Sequence, residues 1–115
     1  MSYNKFKNKK TEIDGIKFDS EMESHYYLYL KELKEEGVVV DFELQSTFIL
    51  QEGFIKDGKK IRPITYKADF KVTYIDGHIE VIDVKGKMTE EFKLKRKMLL
   101  YKYRDINFKC VQERG

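Results

Sequence analysis

The sequence predicts an α/β fold of the α+β kind, a mixed sheet flanked by helices. Three observations predict it. Residues 20–36 and 89–103 carry apolar side chains at helical spacing. Between them, residues 38–85 divide at Gly and Asp-Gly signals into about three extended runs. A short β-type run, 106–112, follows the second helix, and a strand reached through a crossover helix usually joins its sheet in parallel.

The elements follow in order. Residues 1–10, "MSYNKFKNKK", read as a mobile basic arm, and "TEIDGIKF" places Asp14-Gly15 between short alternating runs, a small hairpin. In "SEMESHYYLYLKELKEE", Met22, Tyr26, Tyr29, Leu30 and Leu33 share a stripe; Asp19 or Ser20 caps the start and Gly37 stops the helix. In "VVVDFELQSTFILQ", Phe42, Leu44, Ser46, Phe48 and Leu50 alternate with polar neighbours as one phase of a strand. "EGFIKDGKK" reads as a polar turn region. "IRPITYKADFKVTYI" and "HIEVIDVKG" are strands joined at Asp76-Gly77. Thr89 caps the second helix, in which Phe92, Leu99 and Tyr103 form one stripe and Leu94, Met98 and Tyr101 another. Two stripes imply either burial on both sides or a homodimer contact.

At 115 residues the chain is one domain with one modest core, and 41% hydrophobic and 14% aromatic residues argue against disorder. The net charge of +3 is unevenly spread, with lysines crowding residues 5–10, 56–60 and 93–97. Such clusters suit a polyanion or form a solvated surface. Cys110 is the one cysteine, so no intrachain disulfide forms, and its strand setting suggests a buried, inert thiol. No Cys/His spacing suggests zinc, and no apolar stretch is long enough for a signal peptide core or a bilayer span. The expectation is an intracellular, cytoplasmic protein with no membrane partner.

The stretch "EVIDVKG" carries the chemistry. Side chains alternate across a strand, so Asp83 and Lys85 leave the same face. Alone they could be a surface ion pair worth little. Asp69 interrupts the preceding strand, and Glu23 lies on the first helix. With Met22 at zero and about 100° per residue, Glu23 falls near 100°, beside Leu30 at about 80°, whereas Glu21 falls on the solvent side. Glu23 can also sit at the third position of a capping box begun by Ser20. Phosphodiester hydrolysis needs such a set: carboxylate oxygens to hold a hard divalent cation, and a lysine to offset developing negative charge.

The ordered set Asp69…Asp83-Val84-Lys85, with Glu23 on an upstream helix, resembles the PD-(D/E)XK nuclease superfamily. The runs "GIKFDS", "ELQ", "YKADF", "DVKG" and "LKRK" look like those of a small phage-type family of putative endonucleases within it, over nearly the whole chain. Ala68 stands before Asp69 where the motif has proline. The resemblance implies a restriction-endonuclease-like αβββαβ core and a Mg²⁺-dependent DNA endonuclease, with Mn²⁺ able to substitute. It implies Asp69, Asp83 and Glu23 as metal ligands and, with Lys85, as the catalytic set. It also implies that the helix after the second acid lines the site, making Lys95 and Arg96 DNA contacts. Lys59, Lys60 and Gln45 complete the expected DNA-binding set; Gln45 could hold substrate or simply face solvent. Branched DNA, such as a Holliday junction or flap, is the expected substrate, because a chain this short leaves little room for sequence readout. The rivals are a catalytically inactive DNA-binding protein on the same fold and a non-enzymatic interaction module.

A register conflict accompanies this reading. A two-residue Asp76-Gly77 turn pairs Asp69 with Val84 and sends Asp69 and Asp83 to opposite faces. A three-residue loop, Ile75-Asp76-Gly77, with Gly77 left-handed, pairs the two acids. The apolar pattern, with Val72 opposite Val81 and Tyr74 opposite Ile79, favours the tight turn, which then requires a bulge near Asp69 to reunite the acids.

Overall fold

The computed structural model describes residues 11–112; the basic arm expected at 1–10 lies outside them. Two short strands, β1 (Thr11–Ile13) and β2 (Ile16–Phe18), form a hairpin. Its turn has Asp14 and Gly15 both at positive φ, the requirement of a tight hairpin turn. Helix α1 (Glu21–Glu35) starts at Ser20, whose Oγ accepts from the N–H of Glu23. It ends in a Schellman motif: Gly37 N–H donates to Lys34 and Val38 N–H to Leu33, with Gly37 at φ 83°.

The remaining elements are β3 (Val39–Gln51), β4 (Phe54–Lys56), β5 (Lys59–Ile61), β6 (Ile64–Tyr74), β7 (Ile79–Lys85), α2 (Glu90–Lys102) and β8 (Phe108–Gln112). The central sheet runs β3-β6-β7-β8; its first two pairings are antiparallel, and β7–β8 is parallel. The fold class is therefore the predicted one, a mixed four-stranded sheet flanked by two helices. Setting the two hairpins aside, the order is helix, three strands, helix, strand. The segment read as a polar turn region is instead the hairpin β4–β5, closed by Asp57 and Gly58 at positive φ and paired with no strand of the central sheet.

One apolar cluster lies under α1, built from Tyr27, Leu30, Phe70, Val72, Ile82 and Val84 with Phe18 and Val39. The other lies under α2, built from Tyr66, Ala68, Val81, Phe92 and Leu99 with Leu50. Tyr27, rather than the expected Tyr29, is buried from α1, because Phe18 of the hairpin packs on its ring and Asp14 accepts its hydroxyl. Of the two stripes on α2, Phe92, Leu99 and Tyr103 pack inward, joined by Met98 of the second stripe; Leu94 and Tyr101 are 58% and 73% exposed.

The two clusters expose a break in strand phase. On β6, Tyr66 and Ala68 face α2, but Phe70 and Val72 face α1. On β3, Phe42 and Leu44 face α1, but Phe48 and Leu50 face α2. Regular strands would keep each set on one side. The single phase expected along 42–50 is thus wrong. Both strands switch face at neighbouring points, Gln45 and Asp69, where the ladder skips one pair without losing register. Gln45 takes φ 56°, a left-handed conformation uncommon for a residue with a side chain.

Leu30 is fully buried between helix and sheet, and Tyr101 is among the most exposed apolar residues. Leu30→Ala should lower unfolding free energy by about 2–5 kcal/mol. Tyr101→Ala should stay within about 0.5 kcal/mol. Urea denaturation followed by circular dichroism measures both.

Candidate active site

The turn after β6 sets the site's register. Tyr74 N–H donates to the carbonyl of His78, and Gly77 N–H to the carbonyl of Tyr74, with Gly77 at φ 96°. This is the three-residue loop, so the tight turn favoured by the apolar pattern does not form. Val72 stands opposite Glu80 instead of Val81. Polar contacts compensate: Tyr74 Oη donates to Glu80 at 2.6 Å, and its ring stacks on His78. In this register Asp69 stands level with Asp83, one step beyond the last ladder pair, Phe70 and Ile82.

At that step the strands stop bonding backbone to backbone. Asp69 N–H donates to Asp83 Oδ1 at 3.0 Å, and Val84 N–H donates to Asp69 Oδ2 at 2.8 Å. Each carboxylate thus takes an N–H that a sheet would give to a carbonyl. The expected bulge is here a face switch at Asp69, not a change of register. Asp83 is 1% exposed. Its Oδ2 accepts from the hydroxyl of Tyr66 and lies 3.7 Å from Lys85 Nζ. Burial, then the neighbouring Asp83, holds the Tyr66 hydroxyl far above its ordinary pKa, so it remains a donor.

Glu23 approaches from the α1 side, 7% exposed. Burial, then repulsion from Asp69, pushes its carboxyl up to about 7. Burial, then Asp83, pushes Asp69 up to about 6. The exposed Glu21 does not share this environment. Three acids therefore converge from three directions: Glu23 from α1, Asp69 across the gap, Asp83 from the α2 face. Among the described residues no group of three or more His, Cys, Asp or Glu side chains is arranged to hold a metal ion. The donor chemistry nevertheless fits a hard divalent cation. The donors are carboxylate oxygens, their mutual repulsion lacks a full counter-charge, and an oxygen holding one hydrogen bond keeps a second lone pair.

The basic side divides in two. A cavity of about 220 Å³ lies against Asp83's neighbours, lined by Tyr66, Lys67, Lys85, Thr89, Glu91, Phe92 and Lys95. Lys85 Nζ sits over the Phe92 ring at 4.7 Å, and Arg96 stacks on the same ring at 5.4 Å. Lys95 pairs with Glu91 at 3.3 Å. Lys59 and Lys60, by contrast, stand on the separate β4–β5 hairpin. Gln45 is exposed on β3 at the position facing Asp69. Cys110 is free and half-buried on β8.

Sequence reading missed Tyr66, Lys67 and Phe92 as parts of the site. A tyrosine on a buried strand needs a partner for its hydroxyl, and an acid three residues away in the motif was a signal to look.

Residues 3–114 match the model of a family described as "Protein of unknown function (DUF1064)". No curated protein and no solved structure matches the chain.

Two predictions follow from this geometry. Asp69 and Glu23 both have folded pKa values above their ordinary ones, so protonation favours the folded state. That contribution is complete below about pH 4 and is lost as pH rises through about 6 and then 7. Without divalent ions the melting temperature should fall between pH 5 and pH 8. Glu23→Gln should flatten that fall and add roughly 1–3 kcal/mol at pH 8. Differential scanning fluorimetry across pH checks the sign; equal slopes in parent and variant would refute the assignment.

The second concerns Gln45. Gln45→Gly keeps the left-handed backbone without strain and should be neutral or stabilising by up to about 1 kcal/mol. Gln45→Val, whose branched side chain resists positive φ, should destabilise by about 1–3 kcal/mol. The amide resonances of Asp69 and Val84 should shift in the valine variant and stay near their parent positions in the glycine variant.

Proposed function

The chain belongs to the DUF1064 family, and from the geometry of its acids we propose that it is a divalent-cation-dependent DNA endonuclease of the PD-(D/E)XK type. The observation that carries this reading is the facing pair Asp69 and Asp83 at the point where β6 and β7 part, with Lys85 beside Asp83 and Glu23 buried nearby. Such an arrangement is costly for folding alone. It leaves acids crowded in a low-dielectric gap with one adjacent lysine.

In this reading Asp69 and Asp83 hold the cation, with Glu23 as third ligand. When bound, Mg²⁺ or Mn²⁺ polarises a phosphodiester and makes water a better nucleophile at neutral pH. Tyr66 donates to Oδ2 of Asp83 and so helps fix the rotamer of that carboxylate. Lys85 is a compact positive charge placed where a phosphate would gain negative charge on attack. Phe92 restrains the lysine through its ring face. Lys67 and Lys95, sharing the cavity with Lys85, would draw a backbone phosphate into it. Branched or structured DNA, encountered in replication or recombination, is the proposed substrate, since contacts of this kind read backbone and shape rather than base sequence. The proposed setting is an intracellular one, a bacterial or phage-infected cell; among the described residues no helix is long and apolar enough to cross a membrane.

A second reading, DNA binding without cleavage, draws support from the hydrogen bonds that already occupy Asp83 and from the lack of a ready-made three-acid cage.

A cleavage assay on linear, nicked, flap and four-way DNA, with Mg²⁺ or Mn²⁺ and with EDTA, separates the two. The parent should cut in a metal-dependent way. Lys85→Ala should lower the rate on the order of 10²–10³-fold, the usual loss for a preorganised donor. Lys85→Arg should recover only part, because a broad fork does not replace a point charge. Cleavage by Lys85→Ala at the parent rate would rule out the catalytic assignment.

A further inference from the structure

The β4–β5 hairpin is the one paired segment of the described chain in which every residue is exposed and no residue joins either core cluster. Two-stranded ribbons of this size are marginal alone, yet this one is carefully closed at both ends. Asp57 and Gly58 form the tip, both at positive φ. At the base, a Cβ on Gly53 would meet the carbonyl oxygen of Ile61 at 3.0 Å and Pro63 Cδ at 3.2 Å, so the arms can approach this closely only with glycine there.

Its surface is unusual in two respects. Lys56 stands directly opposite Lys59, and Lys60 lies next along the strand. Like charges placed across a strand pair destabilise it. Among the described residues, neither Lys56, Lys59, Lys60 nor Arg62 forms an ion pair with an acid; the ion pairs there involve other lysines and His78. Beside these cations, Phe54, Ile55 and Ile61 are exposed, Ile55 at 72%. With Gly53, Lys60, Arg62 and Pro63 they line a concavity of about 650 Å³.

We infer that the β4–β5 hairpin is a DNA-groove arm: Lys56, Lys59, Lys60 and Arg62 neutralise backbone phosphates while Phe54 and Ile61, cross-strand partners on one face of the ribbon, rest on base edges. A polyanion relieves the Lys56–Lys59 repulsion, which an acidic side chain within the described chain does not. The major groove of a duplex admits a two-stranded ribbon, and its floor offers apolar thymine methyl groups. Strand β6 joins the hairpin to the acids. Five residues separate Ile64 from Asp69, about 17 Å at roughly 3.3 Å per residue. At about 3.4 Å per base step, that spans roughly five base pairs. One duplex arm can therefore fill the hairpin and reach Asp69 and Lys85 together. This inference shares with the preceding proposal only the choice of DNA as partner, and it assigns the hairpin no part in the chemistry.

The test is equilibrium binding of the full-length protein to a fluorescein-labelled 30-base-pair duplex and a four-way junction in EDTA, from 50 to 300 mM NaCl. The variant is Lys56→Gln, Lys59→Gln, Lys60→Gln together, which keeps side-chain length and removes the repulsion, so it should fold at least as well as the parent. Each lost phosphate contact lowers the slope of log affinity against log salt by about 0.9, so the triple variant should lose about 2 to 3 from the parent slope. Phe54→Ala with Ile61→Ala should weaken binding roughly 5- to 50-fold with the slope unchanged.

An unchanged salt slope in the triple variant would overturn the inference. So would a change confined to oligomeric state, seen by sedimentation, which would make the hairpin a contact between copies of this chain. The parent's cleavage assay decides the nuclease proposal separately: hairpin-dependent binding without cleavage sinks that proposal alone, and cleavage with hairpin-independent binding sinks this one alone.

Discussion

The paired bonds that join Asp69 to Asp83 and Val84 hold the centre of this molecule together. A strand pair that parts inside a protein leaves N–H groups that must find acceptors. Here Asp69 N–H finds Asp83 and Val84 N–H finds Asp69. The same bonds make burial of the carboxylates tolerable, since a buried carboxylate without donors is far costlier. The gap between β6 and β7 and the acids within it are one feature: neither could persist without the other.

The surrounding structure maintains that feature from both faces. From the α2 side, Tyr66 donates to Asp83 while Phe92 carries Lys85 on its ring. From the α1 side, the Ser20 cap fixes the first turn and so holds Glu23 toward the acids. Through the sheet, the coupled face switch at Gln45 and Asp69 changes which side each strand presents without breaking their pairing. The left-handed Gln45 is an energetic cost of about 1 kcal/mol or more, borne by the packing on either side. Strain and crowded charge in one place are the usual mark of a site held ready for a ligand rather than optimised for stability.

The cations follow a different geometry from the acids. Lys67, Lys85 and Lys95 surround a small cavity beside Asp83, and Lys56, Lys59, Lys60 and Arg62 extend along the projecting hairpin. One long strand, β6, links the two groups. A compact negative centre with positive charge leading away from it suits a ligand that is itself an extended polyanion.

How much of this was legible in the sequence can be judged residue by residue. Local rules determined both helices and their caps, since Ser20, Gly37 and Thr89 act through their immediate neighbours. They determined the tight hairpin at Asp14-Gly15, the parallel last strand after its crossover helix, and the solvent and buried sides of Glu21 and Glu23. Identity and order of Asp69, Asp83 and Lys85 were readable because Asp83 and Lys85 share a face by strand alternation alone. The register of β6 on β7 was not readable. Apolar pairing of Val72 with Val81 favoured a tight turn, and the competing contacts of Tyr74 with Glu80 and His78 exist only once the loop has closed. The face switch was hidden for the same reason: alternation in a sequence assumes one core side per strand, whereas here two helices bury different lengths of the same strands. Tyr66's partnership with Asp83 joins residues 17 apart in sequence across two strands. Composition and spacing thus determined which side chains are present and which elements carry them; only tertiary packing decided that two strands part between the acids, because that depends on contacts no local window contains.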